Sequence, residues 1–140
     1  LVGNAANAIA PNKRPLSSMS PSFVENDDAV ALIGTPGGSR IITMVMLGML
    51  EHFDNKPVGD WVGRSRFHHQ YLPDVIQHEP NTFSAAEINA LESKGHKLKN
   101  IGREYGNMQA ILWDKNSGEV TAASDPRAFG KSQVSELVTE

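Results

Sequence analysis

The sequence predicts one α+β unit in which strands come first, helices follow and a β-hairpin closes the chain. Three observations support this fold class. They are a short apolar run at residues 29–33, a nearly continuous apolar stretch at residues 41–50 behind a glycine-rich turn, and a turn signal at residues 116–118 between two strand-like segments. Because strands and helices come in separate blocks rather than alternating, a doubly wound parallel sheet is disfavoured.

Composition limits the classes of function. A chain of 140 residues with 39% hydrophobic and 21% charged residues fits one domain, or part of one, with a packed core. Its net charge of −3 argues against nucleic acid or an anionic membrane as partner. The absence of cysteine excludes disulfides and thiolate chemistry. No apolar run approaches the ~20 residues of a membrane-spanning helix. The chain starts at Leu1 rather than at methionine, so we expect a fragment or a processed subunit.

The first third of the chain predicts a hairpin that leads into the glycine turn. Residues 1–15 contain Gly, Asn and Pro without periodicity, which indicates a loop. Residues 18–25 are typical of an interrupted strand, residues 26–28 (Asn-Asp-Asp) are a turn signal, and residues 29–33 form the apolar run of a buried strand.

A helix is predicted from Ser39 or Arg40 to about His52, and Asn55 and Pro57 end it. Its apolar residues surround the helix axis instead of forming one stripe, so we expect it to be buried on most sides. Residues 58–63 are compatible with a short second helix.

The second half predicts two short strands, at residues 74–78 and 97–101, on either side of a helix. Ser84 and Glu87 have the spacing of a capping box, in which each side chain binds the backbone N–H of the other residue. Ile88 and Leu91 give this helix an apolar face, and Gly95 ends it. The closing hairpin comprises residues 109–113 and 120–123.

The glycine turn GTPGGSR, residues 34–40, is the first stretch with candidate chemistry. A helix that begins there directs free backbone N–H groups and the positive end of its dipole at the turn, which suits an anion. The turn lacks the lysine of a phosphate-binding loop and the spacing of a dinucleotide fingerprint. The residues alone leave two readings open, an oxyanion hole and a tight strand-to-helix turn.

The stretch NKRPLSSMSP, residues 12–21, contains the adjacent Ser17 and Ser18. Their hydroxyls either bind a ligand or satisfy backbone groups of the loop. No His–Asp pair stands at a recognised spacing from them, so a serine triad is not supported.

Two further stretches are expected to be structural. The adjacent histidines of RFHHQ, residues 66–70, point apart and lack a further ligand at metal-binding spacing. We therefore expect hydrogen-bonded structural imidazoles and no metal site. In ASDPR, residues 123–127, Asp125 and Arg127 are expected to form an ion pair at the end of a strand.

Taken in order, these four stretches resemble the C-terminal part of the small subunit of γ-glutamyltranspeptidases (γ-glutamyltransferases). The resemblance extends from about Gly3 to Arg127. It implies that residues 1–140 are a single partial domain of an N-terminal-nucleophile hydrolase, whose fold is an αββα sandwich. It also implies that no cofactor is used, and it suggests a periplasmic or secreted protein.

The resemblance further implies a chemistry. In this family a precursor cleaves itself, and the new N-terminal threonine attacks the γ-glutamyl amide of glutathione and related compounds. Gly37 and Gly38 match the oxyanion hole, and Ser17 and Ser18 match the serine pair that binds the α-carboxylate of the glutamyl group. Arg66 and Arg127, with Asp125, match residues whose role is expected to be architectural.

The threonine would lie upstream of Leu1, so the chain alone is predicted to be inactive. Its expected partners are the remainder of its own precursor, meaning the large subunit and the N-terminal part of the small subunit, and a small-molecule γ-glutamyl substrate. Two alternatives remain: a related acylase acting on β-lactam side chains or poly-γ-glutamate, and a non-catalytic fragment. The serine pair favours the γ-glutamyl group because paired hydroxyls suit a carboxylate.

Overall fold

The computed structural model describes residues 5–136, and within them three α-helices accompany two β-sheets. The strands are β1 (Ser22–Glu25), β2 (Ala29–Gly34), β3 (Phe67–His68), β4 (Ile76–His78), β5 (Leu98–Asn100), β6 (Gln109–Asp114) and β7 (Val120–Ser124). The helices are α1 (Ile41–Phe53), α2 (Val58–Gly63) and α3 (Ala85–Ser93). This order of elements confirms the predicted α+β class.

The larger sheet has the strand order β1-β2-β6-β7, and all its neighbouring strands are antiparallel. Both predicted hairpins, β1–β2 and β6–β7, are present. Strands β2 and β6 join them, with Ile33 opposite Ala110. The first hairpin turns at Asn26, whose Oδ1 accepts hydrogen bonds from the N–H groups of Asp28 and Ala29 at 3.0 and 2.8 Å.

Helices α1 and α2 pack on one face of this sheet and form the core with it. Met44 and Met108 are 0% and 1% exposed, and Gly48 allows α1 to approach so closely that an added Cβ would lie 3.2 Å from the sulfur of Met108. Trp61 of α2 is 1% exposed, and its Nε1 donates to the carbonyl of Lys56 at 2.8 Å. The core therefore lies directly behind the glycine turn from which α1 begins.

The expectation that α1 is buried on most sides holds for the described residues except along one side, where Ile42, Met46, Leu50 and Phe53 are exposed. Met44 and Val45 face the core, but Ile42 and Phe53 are each 62% exposed on the opposite face. A helix that is apolar all round needs cover on every side. The larger sheet, α2 and β3 cover the other sides, where Thr43 Oγ1 lies 2.9 Å from His68 Nδ1.

The smaller sheet has the order β3-β4-β5, with β4 antiparallel to β3 and parallel to β5. The capping box of α3 is confirmed: the N–H of Glu87 donates to Ser84 Oγ at 3.3 Å, and the N–H of Ser84 donates to Glu87 Oε2 at 2.7 Å. Gly95 follows the helix with φ of 91°, a conformation that favours glycine.

The segment predicted as a strand at residues 18–25 is a hydrogen-bonded strand only from Ser22 onwards. Upstream of it, Ser20 Oγ donates to the carbonyl of Ser18 at 3.0 Å, and Ser17 Oγ accepts from the N–H of Met19 at 3.0 Å. These local bonds compete with strand pairing, and Pro21 has no N–H to offer. No helix within residues 5–136 is long and apolar enough to cross a bilayer.

Candidate active site

A groove of about 810 Å³ opens at the end of the larger sheet, where β2 leads into α1. Its walls are formed by residues 16–23, residues 32–38, Ile41, Asn107, Gln109 and Ile111. Two stretches singled out in the sequence, the serine pair and the glycine pair, therefore meet on one cavity although about twenty residues separate them. This meeting follows from the β1–β2 pairing, which brings the start of β1 beside the end of β2.

The glycine turn presents free N–H groups. Gly37 has φ of 151° and Gly38 has φ of 60°, both in the region that favours glycine. The carbonyl of Gly37 accepts the N–H of Arg40 at 3.2 Å and the carbonyl of Gly38 accepts that of Ile41, which starts the helix. Neither glycine N–H donates a hydrogen bond to any group in the described part of the chain. Two exposed donors are thus available at the mouth of the groove.

The serine segment lines the same groove, and the hydroxyl groups of Ser17 and Ser18 have unused donor capacity. Ser17 Oγ accepts the N–H of Met19, which leaves its own hydrogen available. The hydroxyl of Ser18 makes no hydrogen bond within residues 5–136. Two short hydroxyl donors can therefore face a negatively charged group in the groove.

The glycine turn is held from the side by the segment that precedes β6. Thr35 Oγ1 accepts the N–H of Asn107 at 3.3 Å and donates to the carbonyl of Pro36 at 3.0 Å. Asn107 therefore both lines the groove and supports the turn.

Arg66, Asp125 and Arg127 do not line the groove but form a buried cluster with Glu79. Arg66 Nη2 lies 2.5 Å from Asp125 Oδ2, and Arg127 Nη1 lies 3.2 Å from Asp125 Oδ1. Arg127 also binds Glu79 with two nitrogens, at 3.1 Å from Nε to Oε1 and 2.9 Å from Nη2 to Oε2. Glu79 and Asp125 are 1% and 2% exposed. Two carboxylates therefore balance two guanidinium groups inside the protein.

This buried cluster joins separate parts of the fold. Arg127 donates to the carbonyls of Val62, Gly63 and Arg64 at the end of α2. Burial alone would raise the pKa of Asp125. The N–H groups of Met108 and Arg127, with the Arg66 guanidinium, outweigh burial and hold this pKa below its usual value. The cluster thus ties α2 to the ends of β4 and β7.

Similarity to known proteins shows the family to which the chain belongs. The model of the gamma-glutamyltranspeptidase family matches residues 1–135. The chain belongs to the gamma-glutamyltranspeptidase family. It is 45% identical over 130 residues to the glutathione hydrolase proenzyme of Escherichia coli (strain K12), covering 91% of this chain and 22% of that protein. It is 42% identical over 134 residues to the Pseudomonas aeruginosa glutathione hydrolase proenzyme, covering 93% and 24%. The chain thus spans about a quarter of the length of these relatives.

Solved gamma-glutamyltranspeptidase structures have the same fold. The enzyme from Pseudomonas nitroreducens, in a complex with L-DON, aligns with a TM-score of 0.79 at 39% identity, over 97% of this chain and 72% of that chain. A mutant of the Helicobacter pylori enzyme aligns with a TM-score of 0.79 at 38% identity, over 91% and 70%. These alignments confirm the predicted fold class, part of an N-terminal-nucleophile hydrolase.

His68 and His78 of this gamma-glutamyltranspeptidase segment are buried and hydrogen-bonded, as predicted for structural imidazoles, whereas His69 is exposed and its Nε2 lies 2.8 Å from Asp74 Oδ1. His68 Nδ1 lies 2.9 Å from Thr43 Oγ1, and its Nε2 lies 3.0 Å from Gln70 Oε1. His78 Nδ1 lies 2.8 Å from the carbonyl oxygen of Glu79. Among the residues with described positions, no three His, Cys, Asp or Glu side chains gather as a metal site.

Sequence reasoning missed Glu79 and Asn107. Glu79 lies 48 residues from Arg127, and Asn107 lies 72 residues from Thr35. No local periodicity or turn signal marks either residue, because their partners meet only after the sheets have formed.

Proposed function

We propose that this chain is the C-terminal segment of the small subunit of a γ-glutamyltransferase/glutathione hydrolase, to which it contributes the oxyanion hole and the contacts to the substrate carboxylate. The observation that carries the proposal is the shared groove, in which the free N–H groups of Gly37 and Gly38 accompany the hydroxyls of Ser17 and Ser18. The relatives named as glutathione hydrolases support this assignment of the groove.

The remainder of the precursor supplies the nucleophile, a threonine upstream of Leu1. Its hydroxyl oxygen forms a bond to the γ-carbonyl carbon of the substrate, and the electron pair of the C=O bond moves onto oxygen. Gly37 and Gly38 donate hydrogen bonds to this developing oxyanion, and such preorganised donors lower the barrier most where water is excluded.

The tetrahedral intermediate then collapses. The C–N bond breaks, and the leaving amine takes the proton that the α-amino group of the threonine removed from the attacking hydroxyl. Water, or the amine of an amino acid or peptide, attacks the resulting acyl-enzyme in the same way. Throughout, Ser17 and Ser18 hold the α-carboxylate, which fixes the γ-carbonyl against the glycine turn.

The alternatives, a related acylase and a non-catalytic fragment, need different groups in the groove. A β-lactam acylase that removes an apolar side chain needs no carboxylate site, whereas the paired hydroxyls of Ser17 and Ser18 suit one. A non-catalytic fragment has no need for free N–H donors beside them. The periplasmic or secreted location remains a prediction.

The test compares two anilides with the complete processed protein. One carries a γ-glutamyl group, and the other carries a 4-aminobutanoyl group, which is the same chain without the α-carboxylate. We expect kcat/KM for the γ-glutamyl anilide to be at least about 100-fold higher, because a polar site rejects a substrate that leaves it unpaired. Equal rates, or no turnover of the γ-glutamyl anilide, would contradict the proposal. The 140-residue chain alone is expected to release no aniline.

A further inference from the structure

Arg40 connects the glycine turn to β4 and to the segment before β6. Its backbone N–H closes the turn onto the carbonyl of Gly37 at 3.2 Å. Its side chain points away from the groove, which it does not line. There Nη2 donates to Gln77 Oε1 at 2.5 Å, and the guanidinium carbon lies 5.1 Å from the centre of the Tyr105 ring.

The charge of Arg40 is unusual among the arginines of the folded core. Arg64, Arg66 and Arg127 each pair with a carboxylate. Arg40 has no ion-pair partner within residues 5–136, and its Nε is buried without a hydrogen bond. A partly buried cation without a counter-charge costs desolvation energy, so stability alone does not account for it.

The two partners of Arg40 are themselves fixed to the buried cluster. The N–H of Tyr105 donates to Glu79 Oε1 at 2.8 Å, and its carbonyl accepts a hydrogen bond from Arg66. Gln77 lies in β4, two residues before Glu79. Burial raises the pKa of Tyr105 to about 12, so the ring stays neutral and offers its face to the guanidinium.

We infer that Arg40 is a positioning residue that keeps the N–H groups of Gly37 and Gly38 directed into the groove by holding the turn against Gln77 and Tyr105. Its effect on turnover rests on the proposed function. Its effect on the rigidity of the turn does not. The oxyanion must meet donors at fixed positions, and a turn with two positive-φ glycines supplies little rigidity of its own.

The experiment uses the complete protein with the variants Arg40→Met, Arg40→Lys and Gln77→Leu. The control is Arg64→Met, which removes an arginine that contacts Glu51 of α1 on another face. Hydrogen exchange is measured at the amide of Ile41, which closes the turn onto the carbonyl of Gly38. We expect exchange at least about 10-fold faster in Arg40→Met and Gln77→Leu, with the rest of α1 and the control unchanged.

Kinetics on the γ-glutamyl anilide supply the second readout. We expect kcat to fall roughly 10- to 100-fold in Arg40→Met while KM changes less than about twofold, because the serine segment that holds the carboxylate is untouched. Arg40→Lys should recover part of kcat, since it keeps the charge but loses the planar fork.

Unchanged exchange at Ile41 in both Arg40→Met and Gln77→Leu would overturn the inference, whether or not the protein turns over the anilide. Faster exchange throughout α1 with an equal loss of kcat in Arg64→Met would also overturn it, because Arg40 would then be only one of several stabilising residues. A wild-type protein that releases no aniline would refute the proposed function, and the exchange at Ile41 would still decide the role of Arg40.

Discussion

Met44 of α1 lies directly beneath Gly37, and its Cε occupies the space that a Cβ at Gly37 would need. Met44 is fully buried, and its sulfur also fills the space beside Gly106. The glycine turn therefore packs against the end of a buried core side chain. Glycine is required at position 37 by its φ of 151°, and an added Cβ would in addition displace the Met44 methyl group.

Replacing Gly37 by alanine is accordingly expected to displace the turn. We predict that Gly37→Ala lowers kcat for the γ-glutamyl anilide about 10²- to 10³-fold, the loss typical of one missing oxyanion donor. The control is Gly59→Ala in α2, where an added Cβ meets nothing. Steady-state kinetics and melting temperature are measured on both. If Gly37→Ala kept a normal kcat, the assignment of the glycine pair to the oxyanion hole would be wrong.

The serine pair is predicted to act on binding. In the double variant Ser17→Ala with Ser18→Ala, we expect the preference for the γ-glutamyl over the 4-aminobutanoyl anilide to fall at least about 10-fold, because each hydroxyl bond to a charged group contributes roughly 1.5–3 kcal/mol. Ser93→Ala serves as control, since Ser93 Oγ donates only to the carbonyl of Ala90 on α3. If the double variant kept the full preference, the carboxylate would have to bind elsewhere.

The buried cluster predicts a large loss of stability on removal of one charge. Glu79→Gln leaves the guanidinium groups of Arg66 and Arg127 with one buried carboxylate, Asp125, so we expect the free energy of unfolding to fall by about 3–5 kcal/mol. Glu51→Gln breaks the more exposed pair with Arg64, whose side chain is 35% exposed, and should cost about 1 kcal/mol or less. Urea denaturation of the two variants measures the difference. Equal losses would argue against a special role for the buried cluster.

The lowered pKa of Asp125 predicts how the free energy of unfolding depends on pH. Its pKa is lower in the folded protein than the ordinary value of 3.8. The stabilisation that the ionised Asp125 carboxylate contributes is therefore complete above about pH 4, and it is lost as the pH falls through the pKa of the folded state. We expect the wild-type protein to lose stability more steeply below pH 3.8 than Asp125→Asn, and both to be insensitive to this group between pH 5 and 7. Urea midpoints across this range provide the measurement, and parallel curves would contradict the prediction.

The capping box and the turns were predicted correctly because each depends on residues only a few positions apart. The capping box of Ser84 and Glu87 needs only residues three apart, and both hydrogen bonds formed as expected. The turns at residues 26–28 and 116–118 are likewise decided within a few residues. The extent of the first strand was overestimated because side-chain to backbone bonds around Ser18 compete with pairing.

Burial was less predictable, because it depends on what surrounds an element. The all-round apolar character of α1 is visible in the sequence, yet the side with Ile42, Met46, Leu50 and Phe53 is exposed within the described residues. A periodic pattern records which side chains avoid water, and it does not record which partner covers them.

The amino-acid sequence is enough to predict the hairpins, the helix that begins at the glycine turn, the capping box and, through four ordered stretches, the family. The folded chain adds that Ser17–Ser18 and Gly37–Gly38 share one groove, that Glu79 completes the Arg66–Asp125–Arg127 cluster, and that Arg40 reaches Gln77 and Tyr105. The physical reason is the range of the interactions. Turns and caps are decided by hydrogen bonds between near neighbours. The meeting of the serine and glycine pairs needs β1 to pair with β2, and the buried cluster joins residues as far apart as Arg66 and Asp125.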